Sequence, residues 1–242
     1  MNKVENTNFI FANYDTVEIA KKYGTPLYVI SEEIIRNKCR EIRVDFIEKH
    51  ENAKAYYASK AFLTMAMCKI IEDEGLGLDV VSGGELYTAI KACFPMDRIM
   101  FHGNNKSYDE IEMAIKNNVG RIVVDHSDEI YMIEEIAHRM NKIVKILIRV
   151  TPGVEGHTHK YISTGQKDSK FGIPLEKEII DEVVSKALES DHIELLGFHF
   201  HIGSNLFEKD SYIIAVEKTM KLCKRLKDDL GFIAKELNTG GG

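Results

Sequence analysis

The sequence has little of several features that mark whole classes of protein. It has only four cysteines in 242 residues, and they lie far apart without a CxxC pair, which argues against a disulfide framework or a zinc site. No apolar run approaches the roughly 20 residues that a membrane-spanning helix needs. The polar N-terminus also lacks the apolar core of a signal peptide. We therefore expect a cytoplasmic protein with reduced thiols, no bound metal and no contact with a membrane.

An excess of positive charge is also missing. Lys and Arg number 32 against 38 Asp and Glu, so the formal net charge is -6, and basic residues are scattered among acidic ones. Such a surface does not attract a polyanion over a wide area, so we expect no nucleic-acid partner. Proline is scarce, with four residues, and no Pro-rich linker divides the chain. One large domain is the default expectation.

What the sequence does have is an alternation of short β-branched and aromatic runs with longer amphipathic segments. From about residue 53 onward this pattern is typical of βα units with strands buried on both faces. The predicted strands are 53–58, 76–82, 98–103, 121–126, 145–152, 194–200 and 232–241. They predict a parallel sheet that curls toward a (β/α)8 TIM-type barrel and stops one strand short of closure. Unpaired buried backbone groups cost about 1 to 3 kcal/mol each, so we expect a longer chain, or a second chain, to supply the last strand.

Two amphipathic segments carry helix-start signals. Ser107, with Glu110 three residues later, predicts a capping box at the start of helix 107–118. Ser127 is the predicted N-cap of helix 127–140. We expect both helices to cover the outside of the sheet.

The chain before residue 53 shows a different pattern. Residues 25–31 predict an additional strand, and 32–50 predict a helix that leads into the barrel. We therefore expect residues 1–30 to pack on something outside the barrel, and 31–242 to form the barrel itself.

Polar residues lie within or directly after most of the predicted barrel strands, toward the carboxyl ends where barrel enzymes have their site. They are Lys60, Asp79, 82–85, His102, Asn104, Asn105, Arg149, His201, Ser204, Gly240, Gly241 and Gly242. Because reactive residue types recur at equivalent positions of several strands, the set is more specific than any one member.

Lys60 is the candidate nucleophile. A buried strand end that disfavours its charge would raise the reactivity of its amine. The alternative is a solvated surface lysine that starts a helix. Asp79 and Glu85 similarly fit either an acid and base pair or carboxylates placed at a helix N-terminus.

The glycines at 240–242 can bring backbone N–H groups close to an anion, and barrels often bind phosphate after strands seven and eight. The alternative is a flexible turn. Ser204 offers a hydroxyl to the same phosphate, and His201 could stack on a flat ring or be a structural histidine. Its neighbour His199 is expected to point the other way.

Residues 157–172 form a polar, glycine-punctuated segment that we expect to lie over the barrel mouth. His157 and His159 invite a metal interpretation. We discount it because no further carboxylate or cysteine stands at a fitting spacing.

Six ordered motifs resemble the pyridoxal-phosphate (PLP) dependent family of diaminopimelate, ornithine and arginine decarboxylases, whose barrel is related to that of alanine racemase. The motifs are YASKA, LDVVSGGEL, FHGNNKS, RVTPGVEGHTHKYISTG with SKFG, GFHFHIGSN and GGG. The stretches TPGV, HTHKYISTG and HGNNKS are similar to the diaminopimelate branch.

The resemblance implies that Lys60 holds PLP as a Schiff base and that His201 stacks on the pyridine ring. It also implies a phosphate cradle and residues that line the cofactor. These are Ser204, Gly240, Gly241 and Gly242 for the phosphate, Asp79 and Arg149 beside the lysine, and Lys170, less closely matched, in the mouth segment. The implied reaction on a small amino-acid substrate is loss of CO2 from meso-2,6-diaminopimelate to give L-lysine, in a homodimer.

Two parts of the family pattern have no counterpart in these 242 residues. They are the eighth strand, whose glutamate pairs with the pyridine nitrogen, and the C-terminal β-domain that contributes to the partner's site. We expect little or no decarboxylase activity from this polypeptide alone. Alternatives are a decarboxylase of the same fold acting on another basic amino acid or carboxynorspermidine, a non-catalytic PLP-binding barrel, and a sugar-phosphate barrel enzyme without PLP.

Overall fold

The computed structural model describes residues 8–154, 170–207 and 209–241, in which helices and strands alternate as expected. The strands are β1 Ile10–Phe11, β2 Tyr14–Asp15, β3 Tyr56–Ala58, β4 Gly77–Val80, β5 Ile99–Phe101, β6 Arg121–Val124, β7 Val144–Thr151, β8 Ile173–Pro174, β9 Ile193–His199 and β10 Glu236–Asn238. The helices are α1 Thr16–Tyr23, α2 Glu32–Asp45, α3 Met65–Asp73, α4 Gly83–Lys91, α5 Tyr108–Lys116, α6 Asp128–Met140, α7 Lys177–Glu189 and α8 Lys209–Leu230.

The sheet has the predicted parallel topology. Its spatial order is β10-β9-β7-β6-β5-β4-β3, and the short β8 pairs with the far end of β7. All seven predicted barrel strands are confirmed. Within the described part of the chain, β3 and β10 are the ends of the sheet and are not paired with each other. The described residues thus form a parallel sheet of seven strands that curves as an incomplete barrel.

Alternation along each strand separates two apolar cores. Leu78, Phe101 and Val124 face outward and pack with the helices in one large core. The inner face has its own cluster, formed by Met100, Val123, Leu147 and Leu196 with Tyr56 packed against it. Because side chains alternate with period two, the same rule decides which polar residues point into the barrel.

An ion pair crosses the interior near the amino ends of the strands, a region that we call the floor of the barrel. Arg121 at the start of β6 reaches across the interior to Glu236 at the start of β10, with a hydrogen bond of 2.8 Å from Nε to Oε2. Nearer the mouth, Asn238 at the end of β10 contacts the sulfur of Met100 on β5 at 3.1 Å. These contacts join β10 to strands that are not its neighbours, so the sheet is strongly curved.

The helix starts are partly as predicted. At α5, Ser107 and Glu110 form the predicted capping box, and Glu110 also accepts from the backbone N–H of Gly83 at 2.6 Å. The prediction for Ser127 is wrong. Its backbone is already helical, with φ -59° and ψ -34°, and its side chain makes no capping bond. A capping residue needs an extended backbone to turn its oxygen toward the first N–H groups.

The predicted strand at 25–31 is also wrong. These residues are not hydrogen-bonded into a sheet, and the side chain of Tyr28 is 95% exposed. A β-rich sequence becomes a strand only beside a partner strand, and among the described residues none lies there. By contrast, the predicted helix at 32–50 forms as α2, and Arg36 and Arg40 anchor it to the buried carboxylate of Glu74.

Candidate active site

The carboxyl ends of the strands form the mouth of the barrel, and polar side chains point into it. Phe101, Phe198 and Phe200 belong to the outer core, so the residues next to them face inward. His102, His199 and His201 therefore share the inner side. The expectation that His199 points away from His201 is wrong, because residues two apart on a strand lie on the same face. Asp79, paired in register with Met100, and Arg149, paired with His199, join them.

Asp79 and His102 meet at the mouth. Nε2 of His102 lies 3.5 Å from Oδ2 of Asp79. Burial raises the pKa of the Asp79 carboxyl to about 7, against the opposing positive charge of Lys60. Burial, reinforced by the positive charge of Arg149, lowers the pKa of His102 to about 3. The imidazole is therefore neutral, and Asp79 can gain or lose a proton near neutral pH.

His199 packs against His102 and is equally uncharged. The two rings meet edge to face with centroids 4.6 Å apart. Burial lowers the pKa of His199 well below its usual value, and the nearby His102 and Arg149 add to this effect. Burial also lowers the pKa of His201, again helped by Arg149 and then by Lys60. Arg149 thus contributes the permanent positive charge among these buried groups.

Lys60 lies in the short turn Ser59–Ala61 after β3, and it is exposed. The buried environment that would disfavour its charge is not provided by the described residues. The reason is topological, since β3 is an end of the sheet and no described strand covers its outer side. After burial, the charge of Lys60 is still among the causes that set the pKa values of Asp79, His102 and His201. The charge of Lys60 therefore lies near these three groups.

The two predicted phosphate-binding segments lie side by side. The backbone N–H of Phe200 donates to the carbonyl of Asn238 at 3.0 Å, so the turn after β9 adjoins the turn after β10. Gly240 has φ +66°, and a Cβ there would stand 2.6 Å from the Phe200 carbonyl and 2.9 Å from His201 Nδ1. Only glycine fits this position. Ser204 is exposed in the first turn, and Gly242 lies outside the described residues.

Several buried polar atoms at the mouth have no hydrogen-bond partner among the described residues. They are Oδ1 of Asp79, Nε2 of His102, Nδ1 of His199 and Oδ1 of Asp125. Buried polar groups are nearly always satisfied in proteins, so a cluster of unsatisfied ones at one place indicates a site for a polar ligand.

Three buried titratable residues of this region were not singled out from the sequence, although the position of one of them gave a signal. They are Lys106, Asp125 and Glu129. Asp125 ends the strand run RIVVD, and the period-two pattern already placed it on the inner face with Val123. The ion pair of Lys106 and Glu129 joins residues far apart in the sequence, which no local pattern indicates.

The segment expected over the mouth is only partly described. His157 and His159 lie outside the described residues, and Lys170 is exposed at the point where the description resumes. Its carbonyl accepts a hydrogen bond from the side chain of Asn104 at 3.0 Å. Within the described residues, no three His, Cys, Asp or Glu are grouped to hold a metal ion.

None of the described helices is both long and apolar enough to cross a membrane. All four cysteines are free thiols, of which Cys39 and Cys68 are buried.

Comparison with known proteins gives one consistent result. Residues 32–242 match a family model described as pyridoxal-dependent decarboxylase, pyridoxal binding domain. Diaminopimelate decarboxylase of Bacillus subtilis is 47% identical over 228 residues, which is 94% of this chain and 52% of that protein. The enzyme of the same name from Bacillus methanolicus is 50% identical over 94% of this chain and 53% of its own length. The chain therefore spans about half the length of the curated relatives it matches.

Solved structures agree with the sequence comparisons. Diaminopimelate decarboxylase from M. jannaschii in complex with L-lysine superimposes with a TM-score of 0.88 at 36% identity, over 98% of this chain and 56% of that one. Lysine decarboxylase from Selenomonas ruminantium, at 22% identity and a TM-score of 0.82, covers 98% of this chain and 57% of its own and shows the same fold.

Proposed function

Because the chain belongs to the family of pyridoxal-dependent decarboxylases through its pyridoxal binding domain, we propose that it is the coenzyme-binding half of a diaminopimelate decarboxylase. The reaction is the release of CO2 from meso-2,6-diaminopimelate to give L-lysine. One observation carries the proposal most directly: Asp79, Arg149 and His201 point together into the mouth that Lys60 borders, beside the glycine turn.

The residues present fit PLP. A planar ring with polar substituents and a phosphate would give partners to the unsatisfied atoms of Asp79, His102 and His199. A Cβ at Gly240 would meet the Phe200 carbonyl and Nδ1 of His201, so the glycine lets the turn after β10 lie directly against His201. In this proposal His201 lies flat against the ring, and the phosphate is bound by Ser204 and by the backbone of 240–242. When bound, PLP supplies an electron sink for the carbanion that forms as CO2 leaves.

Lys60 is the residue that would hold the coenzyme covalently through its amine. To react, this amine must first lose its proton. Asp79 is suited to accept that proton at its carboxylate, because burial brings its pKa to about 7, close to physiological pH. His102, whose Nε2 lies 3.5 Å from Oδ2 of Asp79, has a lowered pKa and therefore adds no competing charge beside the carboxyl. Arg149 places a positive charge beside Asp79, His102 and His201, in the region that the coenzyme would occupy.

The longer protein is proposed to act as a homodimer in the cytoplasm, with residues 1–30 packed on a C-terminal β-domain and 31–242 forming the barrel. The exposed apolar side chains of the described N-terminal part support this arrangement, since Phe9 is 71% and Tyr28 95% exposed. Light scattering of the protein, expressed at the full length of its coding sequence, would give its oligomeric state.

The covalent attachment is tested by spectroscopy and mass mapping. PLP added to the full-length protein should produce a visible absorbance band, and borohydride reduction should fix the coenzyme on the peptide that contains Lys60. Lys60→Ala should lose both signals. Lys54→Ala is the matched control, because Lys54 is an exposed lysine at the opposite end of the same strand. A band that survives Lys60→Ala and is lost in Lys54→Ala would contradict the assignment.

The substrate is tested separately. CO2 release by the full-length protein should be fastest from meso-diaminopimelate in a panel with ornithine, arginine and carboxynorspermidine. Faster release from one of the other three would keep the family and change the substrate.

A further inference from the structure

Asp125 is a buried carboxylate at the mouth to which the proposed function gives no role. It follows β6 on the inner face and is 5% exposed. Its Oδ2 accepts from the backbone N–H of Gly172 at 3.1 Å, and its Oδ1 lies 3.5 Å from Nη1 of Arg149. A single side chain thus touches both the arginine of the site and the backbone that returns from the mouth segment.

A second pair of buried charges fixes Asp125. Its backbone N–H donates to Oε2 of Glu129 at 2.8 Å. The other oxygen of Glu129 forms an ion pair with Nζ of Lys106, also at 2.8 Å, and both side chains are essentially inaccessible to water. The amine of Lys106 additionally donates to the carbonyl of Val123 at 2.8 Å. The residues on both sides of position 124 are therefore held through their backbones.

Burying such a pair is unfavourable compared with burying apolar side chains of the same size. The pair of Lys106 and Glu129 lies beside the mouth, where its hydrogen bonds fix the backbone at residues 123 and 125. We therefore attribute to it a role in positioning the residues of the mouth. The pair fixes the backbone at Asp125, and the hydrogen bond from the backbone N–H of Gly172 to Oδ2 then holds the carboxylate on the side of Arg149.

Arg149 is the group in the mouth that most needs to be held. An arginine side chain has many rotamers, and its charge lies close enough to affect His102, His199 and His201. On one side its guanidinium covers the ring of Phe171, with 4.3 Å from Cζ to the centroid. The carboxylate of Asp125 makes the second contact with this guanidinium, at 3.5 Å. Gly172, at φ +77°, lets the backbone pass close to Arg149, since a Cβ there would stand 3.2 Å from Cγ of Arg149.

We infer that Asp125 is a positioning residue: its carboxylate, fixed by the buried pair of Lys106 and Glu129, holds the guanidinium of Arg149 in the mouth in the absence of coenzyme and substrate. The part that concerns coenzyme affinity rests on the proposed function. The part that concerns the position of Arg149 does not.

A double-mutant cycle in the full-length protein tests the inference. Asp125→Asn keeps the shape and removes the charge, and PLP affinity should fall by about 10-fold, the size of one lost contact to a charged group. Arg149→Gln should cause a similar loss. The double variant should be no weaker than Arg149→Gln alone, because Asp125 acts through Arg149. Asp128→Asn is the control, since Asp128 is exposed three residues further on and should leave affinity unchanged.

Two readouts do not need the coenzyme. In Asp125→Asn the pKa of His201, followed by NMR, should rise toward its usual value, because the positive charge of Arg149 that helps to lower it moves away. The backbone amide of Gly172 should exchange faster with solvent. If the unmutated protein shows no PLP absorbance, the proposed function fails, and these two readouts still decide the inference.

Additive losses in the double variant, or an unchanged His201 pKa in Asp125→Asn, would overturn the inference and leave Asp125 with a purely structural role. If Asp125→Asn does not fold, Asp125→Glu replaces it. Its carboxylate is kept and shifted by one methylene, so PLP affinity should lie between that of the unmutated protein and that of Arg149→Gln. Affinity equal to that of Arg149→Gln would contradict the inference.

Discussion

The floor and the mouth of the barrel satisfy their buried polar groups in opposite ways. In the floor, Arg121 and Glu236 pair with each other across the interior. In the mouth, Asp79, His102 and His199 each keep a buried atom without a hydrogen-bond partner among the described residues. The floor is therefore complete without a ligand, whereas the mouth is arranged to be completed by what it binds. Stability and function are separated along the barrel axis, as in barrel enzymes generally.

The largest loss of stability in the floor is expected from Gly197→Ala, which adds one carbon atom. The φ of Gly197 is +154°, and a Cβ there would stand 1.9 Å from the carbonyl oxygen of Glu236 on the neighbouring strand. Gly197→Ala should therefore separate β9 from β10 and destabilise the protein by about 3 kcal/mol, measured by urea denaturation. Gly231→Ala is the control, because Gly231 also has positive φ but nothing within 4 Å. Equal losses in both variants would show that the clash is not the cause.

Arg121→Gln should be the next most damaging change, because it leaves Glu236 partly buried without its partner, at about 2 kcal/mol. The hydrogen bond from Arg121 is the main cause that lowers the pKa of Glu236. A lowered pKa contributes stability above the unfolded value and loses it as pH falls through the folded one. The difference between the two proteins should therefore be full at pH 7 and shrink below about pH 4.5. A difference that grows in acid would contradict the pairing.

Removing a charged side chain from the mouth should have the opposite effect, namely to raise the free energy of unfolding. Because burial raises the pKa of Asp79 to about 7, its charged form destabilises the folded state. The preference of the folded state for the protonated carboxyl stabilises it fully below the unfolded pKa of 3.8, and this stabilisation is lost as pH rises through about 7. Asp79→Asn should therefore stabilise the coenzyme-free protein at pH 8 by about 1 kcal/mol, since the side chain keeps 29% exposure to water. Thermal unfolding at pH 4 and pH 8 measures it. Destabilisation at pH 8 would show that the carboxylate has a structural role.

The smallest expected change in stability is at Ser204, which is exposed. Ser204→Ala should shift the free energy of unfolding by less than about 0.5 kcal/mol and weaken PLP binding several-fold. Titration calorimetry beside denaturation separates the two effects. Unchanged PLP affinity would remove Ser204 from the phosphate site.

Local sequence patterns were sufficient for the strands and for part of the helix boundaries. The seven barrel strands and the capping box of Ser107 and Glu110 depend on periodicity and on residues three apart, which a single sequence displays. The prediction of a strand at 25–31 was wrong because a strand needs a neighbouring strand, which the local sequence does not reveal. The N-cap prediction for Ser127 was wrong because the correct residue type does not guarantee the extended backbone that capping requires.

The site was predictable to the extent that it follows from strand ends. Asp79, Arg149 and His201 were candidates because each lies within or directly after a predicted strand, and the structure places all three in the mouth. The exposure of Lys60 depends on the order of strands in the sheet, and the contact of Lys106 with Glu129 depends on two separate elements packing together. His199 was misjudged although the period-two rule was sufficient to place it.

The bond between Arg121 and Glu236 joins residues 115 positions apart. Lengthening a chain loop raises the entropic cost of closing it only slowly, so a contact of this range is affordable once both ends are ordered. Because the chain is synthesised from its N-terminus, Glu236 on β10 leaves the ribosome after the strand that contains Arg121. The curvature of the sheet can thus be fixed when β10 emerges, and any strand added later would meet a cylinder whose diameter is already set.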